Sequence, residues 1–501
     1  MSNAEHVQSG AVAWLGTPRS ARILQVVLRL FGVVVLLAVV SLWVQLEGLV
    51  GSHGVSPAVD YALLVQDQLG ATAYARLPSL FWLAPSDGML HGLAAAAAVA
   101  SVLIIANRAV GPSLVVVWAC YLSLSMAGQR FLSFQWDILL LEVAFVLLLV
   151  APWRWRGRAG VEPSRWGVWA LRLVGVKLMI ASGYVKLASG DPVWADLTAL
   201  TYHYQTQPIP NPIAWFAHQL PEAVHGLSAA VMFAIELVLP LGVFFGRTGR
   251  LVAVGGCLAL LAGLFVTGNY GFFQPLSAVL VLAWLDDTDV QAVSAWLRRR
   301  SPEALPAPAG VLSRPGFWAA RVGATVLVGL SAAGVVEQVR GETLPGVAGA
   351  VTDAVRPFRT VNRYGLFAVM TTERPELELQ GTRDGEVWQS YTLRYKPGPT
   401  DRMPPVLGPH MPRLDWQMWF AALGSCRGNP WLVDLMGGVL EGREPVLELF
   451  DHDPFGGEAP LGVRVVRWDY RFTELGESGW WVRSEPGLHC PAVSLAPMEG
   501  D

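Results

Sequence analysis

The sequence predicts a polytopic α-helical membrane bundle of about nine spans followed by an extracytoplasmic α+β, strand-rich domain. Three observations predict it. Hydrophobic residues make up 53% of the chain against 15% charged, and apolar runs recur from Leu24 to Val336, where a soluble protein would alternate with polar faces. Beyond Val336 long apolar runs cease and Arg, Asp, Glu, Pro and Trp become common, the mark of a separate folded domain. Arginine gathers in alternate short loops, as in a chain threaded through a bilayer. The expected divisions are a cytoplasmic N-terminus (1–22), a multi-span domain with aromatic outer loops (23–337) and an extracytoplasmic β-rich domain (338–501).

The apolar segments are Leu24 to Val44, Met89 to Ile105, Leu114 to Met126, Ile138 to Ala151, Gly167 to Ala188, Leu227 to Phe245, Leu251 to Val266, Phe273 to Leu285 and Trp318 to Val336. A straight helix needs about 20 apolar residues to cross the hydrocarbon, so the third, fourth and eighth must borrow flanking aromatics or be shielded by neighbours. Arg19 and Arg22 precede the first segment, Arg108 follows the second, Arg154, Arg156, Arg158 and Arg165 follow the fourth, Arg247 and Arg250 the sixth, and Arg298, Arg299, Arg300 and Arg314 the eighth. The other loops carry only Arg76 and Arg130, which places the N-terminus in the cytoplasm and, after nine crossings, the C-terminal domain outside. The first run is too long for a signal-peptide core and lacks a clear small-residue cleavage site, so it reads as a retained anchor. A net charge of −3 argues against a nucleic-acid partner. Abundant Ala, Gly, Val and Arg beside scarce Lys suggest a GC-rich bacterial coding bias.

Only three lysines occur, Lys177, Lys186 and Lys396, and two of them share one apolar helix. Charges at that depth need partners or a chemical role. Position along each helix pairs Lys177 with Glu236 and Lys186 with Asp137 or Glu142, leaving Arg29 and Arg172 to snorkel towards the cytoplasmic side. Such pairs act either as clamps on helix register or as a site that needs a compact ammonium with a movable pKa.

The outer loops are aromatic and polar. "GDPVWADLTALTYHYQTQPIPNPIAWFAHQLPE" is broken by proline and reads as a lid at headgroup depth over the mouth of the bundle. Its His203 and His218, with His225, match no metal-ligand spacing, so no metal is expected. "GQRFLSFQWDILLLE" puts Asp137 at a helix start, where the local dipole favours it, and "TGNYGFFQP" adds Asn269 and Tyr270 to a polar outer pocket.

In the last third, "ELELQGTRDGEVWQSYTLRYK" is two alternating stretches joined around Asp384-Gly385, a hairpin, and "GVRVVRWDYRF" is an antiparallel strand. Between them lie two short helices, one ended by Gly424 and one with Pro430 at its first position. Trp416, Trp419 and Trp431 on these helices are candidates for a client-binding groove, with core packing as the alternative. Cys426 and Cys490 fall in the exported domain, where a disulfide between them can persist, whereas Cys120 and Cys257 lie in spans as buried thiols. No CxxC, GxSxG, HExxH, P-loop or dinucleotide fingerprint occurs.

"RFLSFQWDILLLE", "SGDPVWADLTALTYHYQTQPIPNPIAWFAHQLP", "TGNYGFF", "PFRTVNRYGLFAVMTTERPE" and "PRLDWQMWFAALG" with "NPWL", in that order, resemble the lipase maturation factor family. The resemblance runs from the first spans to "GWWVR". It implies a membrane protein, resident in the endoplasmic reticulum in animals and in the inner membrane of a bacterium, whose C-terminal part helps secreted lipases reach an active fold. A shorter stretch, "ASGYVKLASGDPVWADLTAL", is similar to one helix of the vitamin K-dependent gamma-carboxylases and DoxX-like membrane proteins, and places Lys186 on the carboxylase base.

Two readings follow. The preferred one is a membrane-anchored maturation or folding factor without a cofactor, whose partners are membrane lipids and immature exported clients, lipases among them. The alternative is a membrane oxidoreductase or carboxylase-like enzyme with a quinone-like lipid cofactor, Lys186 as base and Asp137, Glu142 or His203 assisting. The expected orientation is checked by adding protease to sealed, right-side-out spheroplasts. The C-terminal domain is digested while the arginine-bearing turns stay protected, and the reverse pattern would invert the topology.

Overall fold

A computed structural model describes residues 19–155, 162–299 and 314–495, so Arg156, Arg158 and Arg300 lie outside the described residues. Among the described residues seven helices are long and apolar enough to cross a membrane. They are α1 (Ala21–Trp43), α2 (Asp87–Ile105), α3 (Val110–Ala127), α5 (Arg165–Ala188), α6 (Glu222–Leu237, extended by a 3-10 stretch to Phe244), α7 (Gly246–Thr267) and α9 (Arg314–Arg340). The fourth and eighth apolar segments form α4 (Gln135–Leu147) and α8 (Phe273–Leu282), of 13 and 10 residues. At 1.5 Å per residue these are roughly 20 and 15 Å long, short of a hydrocarbon core of about 30 Å. About nine spans were expected, the third, fourth and eighth of them short; among the described residues seven helices reach spanning length, and α4 and α8 are short helices with most of their residues buried.

Burial orders the bundle. Two thirds of the apolar stretch of α5 is buried, against 17% for α9 and 22% for α7, so α5 is central and the other two face outward. On α1 the buried positions Leu24, Val27, Leu28, Phe31, Val34, Val35, Ala38, Val39 and Leu42 repeat every three or four residues, and this stripe packs on α2. The N-terminus of α2 is capped by Ser86, whose hydroxyl accepts the Met89 amide at 3.2 Å.

The arginine-bearing turns meet at one end of the bundle. The Ser20 amide donates to Glu162 at 3.1 Å, the Ile23 amide to Asp287 at 2.8 Å, and Arg250 binds Asp286 and Asp289 at 2.7 Å each. At the same end Arg172, expected to snorkel, is 2% exposed and donates to the carbonyls of Ala283 (3.2 Å) and Leu285 (3.0 Å) just past α8. These acceptors close the end of α8 and draw the side chain inward. Arg29 is exposed.

The C-terminal part is a six-stranded antiparallel sheet with order β3-β2-β1-β4-β5, in which β6 also pairs with β4. The strands are β1 (Arg374–Thr382), β2 (Trp388–Leu393), β3 (Phe450–His452), β4 (Gly462–Phe472), β5 (Trp481–Arg483) and β6 (Gly487–Ser494). The β1–β2 hairpin turns at Asp384-Gly385: Gly385 takes φ +80, and the Asp384 carboxylate accepts the amides of Glu386 and Val387 at 2.8 Å each. The longest register joins β1 to β4 from Arg374–Tyr470 to Thr382–Gly462. Two helices, α10 (Arg413–Ala422) and α11 (Pro430–Leu440), pack on this sheet, and Cys426 and Cys490 are disulfide-bonded between the start of α11 and β6.

Every residue of α10 except Phe420 is buried, because the helix has the sheet on one side and the end of the bundle on the other. Trp416, Trp419 and Trp431 are 3%, 6% and 2% exposed, so they are core groups and form no open client groove. A helix with two covered faces leaves only the position between them, Phe420, exposed.

A second contact locks the domain to the first helix pair. The short helix Leu46–Val50 packs on Glu444–Leu447, and a Cβ on Gly48 would lie 2.3 Å from the Pro445 carbonyl oxygen and 2.7 Å from Leu449 Cγ. Gly48→Ala therefore lowers stability by about 1–3 kcal/mol through overpacking, measured as unfolding of the purified protein in detergent.

Candidate functional site

Lys186 and Lys396 are buried and Lys177 is largely so, and each of the three is paired with a glutamate. Lys177 Nζ donates to Glu142 Oε1 (2.5 Å), the Asn362 carbonyl (3.0 Å) and Ser331 Oγ (3.3 Å). Lys186 Nζ donates to both oxygens of Glu236 (2.9 and 2.7 Å) and to the Ser182 carbonyl (3.1 Å). An ammonium has three donors, so neither side chain has one to spare. The expected pairing is therefore corrected: Lys177 takes Glu142 and Lys186 takes Glu236. Position along a helix had fixed the height of each charge; the choice of partner depends on which way it faces around the axis, and α4 and α6 lie on different sides of α5.

Asp137 pairs with no lysine. Its carboxylate is gripped at both oxygens by Arg413 of α10, at 2.9 Å from Nη1 and 2.8 Å from Nη2, and it also accepts the Tyr121 hydroxyl at 2.6 Å. Arg413 Nη1 adds the Phe131 carbonyl at 2.7 Å, and both side chains of the pair are 0% exposed. This bidentate fork joins residues 276 positions apart across the junction of bundle and domain.

A second charged cluster sits beside it. Glu376 on β1 binds Arg374 at 2.6 Å and Lys396 at 3.0 Å, all three buried. Arg374 also donates to the Gln205 and Gln207 carbonyls (2.5 and 2.6 Å), and Lys396 to the Pro208 carbonyl (3.1 Å), so the outer loop is held by its backbone. Burial pulls the Lys396 ammonium down to about 8 despite Glu376, and pushes the Asp415 carboxyl up to about 6 although it accepts the Tyr395 amide at 2.9 Å.

Between α9 and β1 the chain enters the bundle as a strap, 360–371. The Asn362 amide and Tyr364 hydroxyl donate to Glu142 Oε2 (2.9 and 2.6 Å), so the strap completes the carboxylate that holds Lys177. Gln135 exchanges two 2.9 Å hydrogen bonds with the backbone of Gly365, Trp194 donates to the Phe367 carbonyl (2.9 Å), and the Met370 amide donates to Asp191 (2.7 Å). A Cβ at Gly365 would meet Val185 Cγ1 at 2.8 Å, so only glycine lets the strap lie against α5.

Under the strap, α10 and the outer loop lies a cavity of about 760 Å³. Lys186, Glu236, His203, Tyr270, Trp136 and Trp416 are among its lining residues. His203 and Tyr270 share a hydrogen bond of 3.1 Å. The cavity thus gathers Lys186 and His203 of the expected site, whereas Glu142 faces a smaller, apolar cavity of about 430 Å³ between α5 and α9, and Asp137 is sealed by Arg413. Among the described residues no group of three or more His, Cys, Asp or Glu is placed to hold a metal ion, and Cys120 and Cys257 are buried free thiols.

Two family models match the chain: the lipase maturation factor transmembrane domain over residues 22–292 and the lipase maturation factor C-terminal domain over 360–491. Human lipase maturation factor 2 is 34% identical, with 94% of this chain and 82% of that protein covered. The chain belongs to the lipase maturation factor family. Bovine lipase maturation factor 1 is 31% identical over 95% of this chain and 89% of its own length, and human lipase maturation factor 1 is 30% identical over 94% and 88%. No solved structure matches. In this member of the family the charged contacts join the two matched domains: Asp137 and Lys177 lie in the first, the strap and Arg413 in the second, and α9 lies outside both.

Arg413, Arg374 and Glu376 were not singled out in the sequence. Their signal was an arginine or glutamate inside a segment with no solvent-facing side, readable only once the partner surface is known. Breaking the central pair has a definite cost. Asp137→Leu or Arg413→Met alone destabilises by about 3–5 kcal/mol, because the other charge stays buried, and the double variant Asp137→Leu/Arg413→Met recovers much of the loss. Thermal unfolding of the four proteins in detergent measures this cycle.

Proposed function

We propose that this protein is a membrane-anchored maturation factor for exported proteins, lipases among them, working with its N-terminus in the cytoplasm and its C-terminal domain on the outer side. The single observation that carries the reading is the fixed seat of the C-terminal domain on the end of the bundle opposite the arginine-bearing turns, through Arg413–Asp137 and the Arg374–Glu376–Lys396 cluster, in a chain of this family. Arginine-rich turns favour the cytoplasm, so the opposite end falls in the compartment where exported proteins mature. Client contact is assigned to the β6 edge of the sheet, where Leu488 (66% exposed) offers an apolar group beside an unpaired strand edge.

The competing reading makes Lys186 a base acting with a quinone-like lipid cofactor. Lys186 does line the cavity, but Glu236 and Ser182 take all three of its donors. Co-expression with a secreted lipase separates the two. Loss of this protein, or Asp137→Ala, lowers the lipase's specific activity at least about tenfold while its amount falls less, whereas Lys186→Arg, which keeps the ion pair but cannot supply a neutral amine near neutral pH, retains maturation. Full lipase activity without the protein overturns the proposal, and loss of maturation in a stably folded Lys186→Arg protein favours the enzyme.

A further inference from the structure

Beside the strap and the first turn of α4 lies a third cavity, of about 310 Å³. Its polar wall is Glu337 of α9, Thr352, Arg356 and Arg359 after it, and Asn362 and Arg363 of the strap. Three guanidinium groups thus stand against one carboxylate, and one positive charge remains in excess even when Asp353, 3.1 Å from Arg356, is counted. Glu337 is bound from within the fold: its side chain is 1% exposed and also accepts the Leu344 amide (3.0 Å) and the Thr352 hydroxyl (3.1 Å). The arginines have donors left over. Arg356 and Arg363 hydrogen-bond Glu337 through Nη2 alone, and their side chains are 47% and 39% exposed. Each therefore keeps Nη1 and Nε for another acceptor. Arg359 is partly buried, and among the described residues its guanidinium has neither a hydrogen bond nor an ion pair. Its backbone is fixed at φ +54 by a turn in which the Asn362 side chain donates to the Arg359 carbonyl at 2.9 Å. Burial and the neighbouring Arg356 lower the Arg359 guanidinium from its usual value, the response of a cation that lacks a counter-ion. Guanidinium groups clustered with free N–H donors are the arrangement that takes a phosphate.

The surroundings say which phosphate. α9 is the least buried of the spanning helices, and Val335, Val336 and Val339 are exposed along its last turns. The helix Gly346–Val355 follows, in which only Gly349 is buried. Its Val347 and Val351, 81% and 45% exposed, stand one turn apart on one face. Apolar side chains presented just past the end of a spanning helix sit where acyl chains meet headgroups. Leu330 and Gly334 of α9 and Val355 of the short helix also line the cavity, so it is built from the same two elements as this apolar surface. A phosphate held by the arginines has apolar surface beside it for the chains of a lipid, and the excess positive charge favours a lipid whose head is anionic.

We propose that this cavity holds the phosphate of an anionic phospholipid, with Arg359 as its central ligand, Arg356 and Arg363 beside it, and the acyl chains along α9. The site goes beyond the maturation role and requires no client. Full-length protein is reconstituted into phosphatidylcholine vesicles containing a trace of phosphatidylglycerol with a photoreactive acyl chain, irradiated, digested and mapped by mass spectrometry. Labels concentrate within 327–361, and unlabelled phosphatidylglycerol competes them away, whereas inorganic phosphate at matched ionic strength leaves them in place. A phosphatidylcholine probe with the same photoreactive chain labels this segment at least about tenfold less. Arg359→Gln lowers phosphatidylglycerol labelling at least about tenfold, the factor expected for one charge-assisted hydrogen bond or more. Because Arg359 has no side-chain partner in the protein, the same variant unfolds in neutral detergent at an unchanged temperature. Labels spread evenly over α7 and α9, equal labelling by the phosphatidylcholine probe, displacement by inorganic phosphate, or undiminished labelling of the Arg359→Gln protein overturns the assignment.

Discussion

The structure depends on one buried ion pair, Arg413–Asp137. Both side chains are withdrawn from water, and either charge alone would cost several kcal/mol to keep there. Composition separates an apolar helical part from a polar C-terminal part, yet packing joins them: one apolar core contains Phe131 and Leu140 of the bundle together with Trp416 and Trp431 of the C-terminal domain. The usual expectation that domains of one chain move relative to each other fails here, since such motion would have to expose or strip a desolvated fork. Synthesis order adds a further constraint. Asp137 enters the membrane long before Arg413 is made, with the Tyr121 hydroxyl as its neighbour in the meantime.

The strap is the second element of this union. It brings backbone that is neither helix nor strand to the level of Lys177, and its polar groups are met by Glu142, Gln135, Trp194 and Asp191. Irregular backbone at such a place persists only where protein satisfies it. Each of the polar clamps on α4 and α5 therefore serves two purposes: it neutralises a buried lysine or carboxylate, and it holds the segment that leads into the sheet. A chain built this way holds its C-terminal domain in a fixed position on the end of the bundle.

Much of this was legible in the sequence. Periodicity and composition located α1, α2, α5 and α7 within a few residues, and the hairpin at Asp384-Gly385, the strand Gly462–Phe472 and the helix opening on Pro430 follow from turn chemistry, alternation and proline geometry. Failure was confined to what lies between elements. Lys177 and Lys186 were known to need carboxylates, yet spacing carries no record of which helix stands where around α5. Trp416 and Trp419 stood between a binding groove and core packing in the sequence, and the structure has core packing, since all of α10 but Phe420 is buried. The polar outer pocket was expected from the loops alone; its roof is supplied by α10 and the strap, which are distant in the chain.

The lysine positions carry one more consequence. All three amines are turned inward and paired with glutamates, with side-chain exposures of 9%, 5% and 1%. The outside of the protein therefore offers no lysine to acylating or aldehyde reagents, nor to any enzyme that conjugates a tag through an isopeptide bond. Carboxylates and guanidinium groups are the handles that remain on its surface.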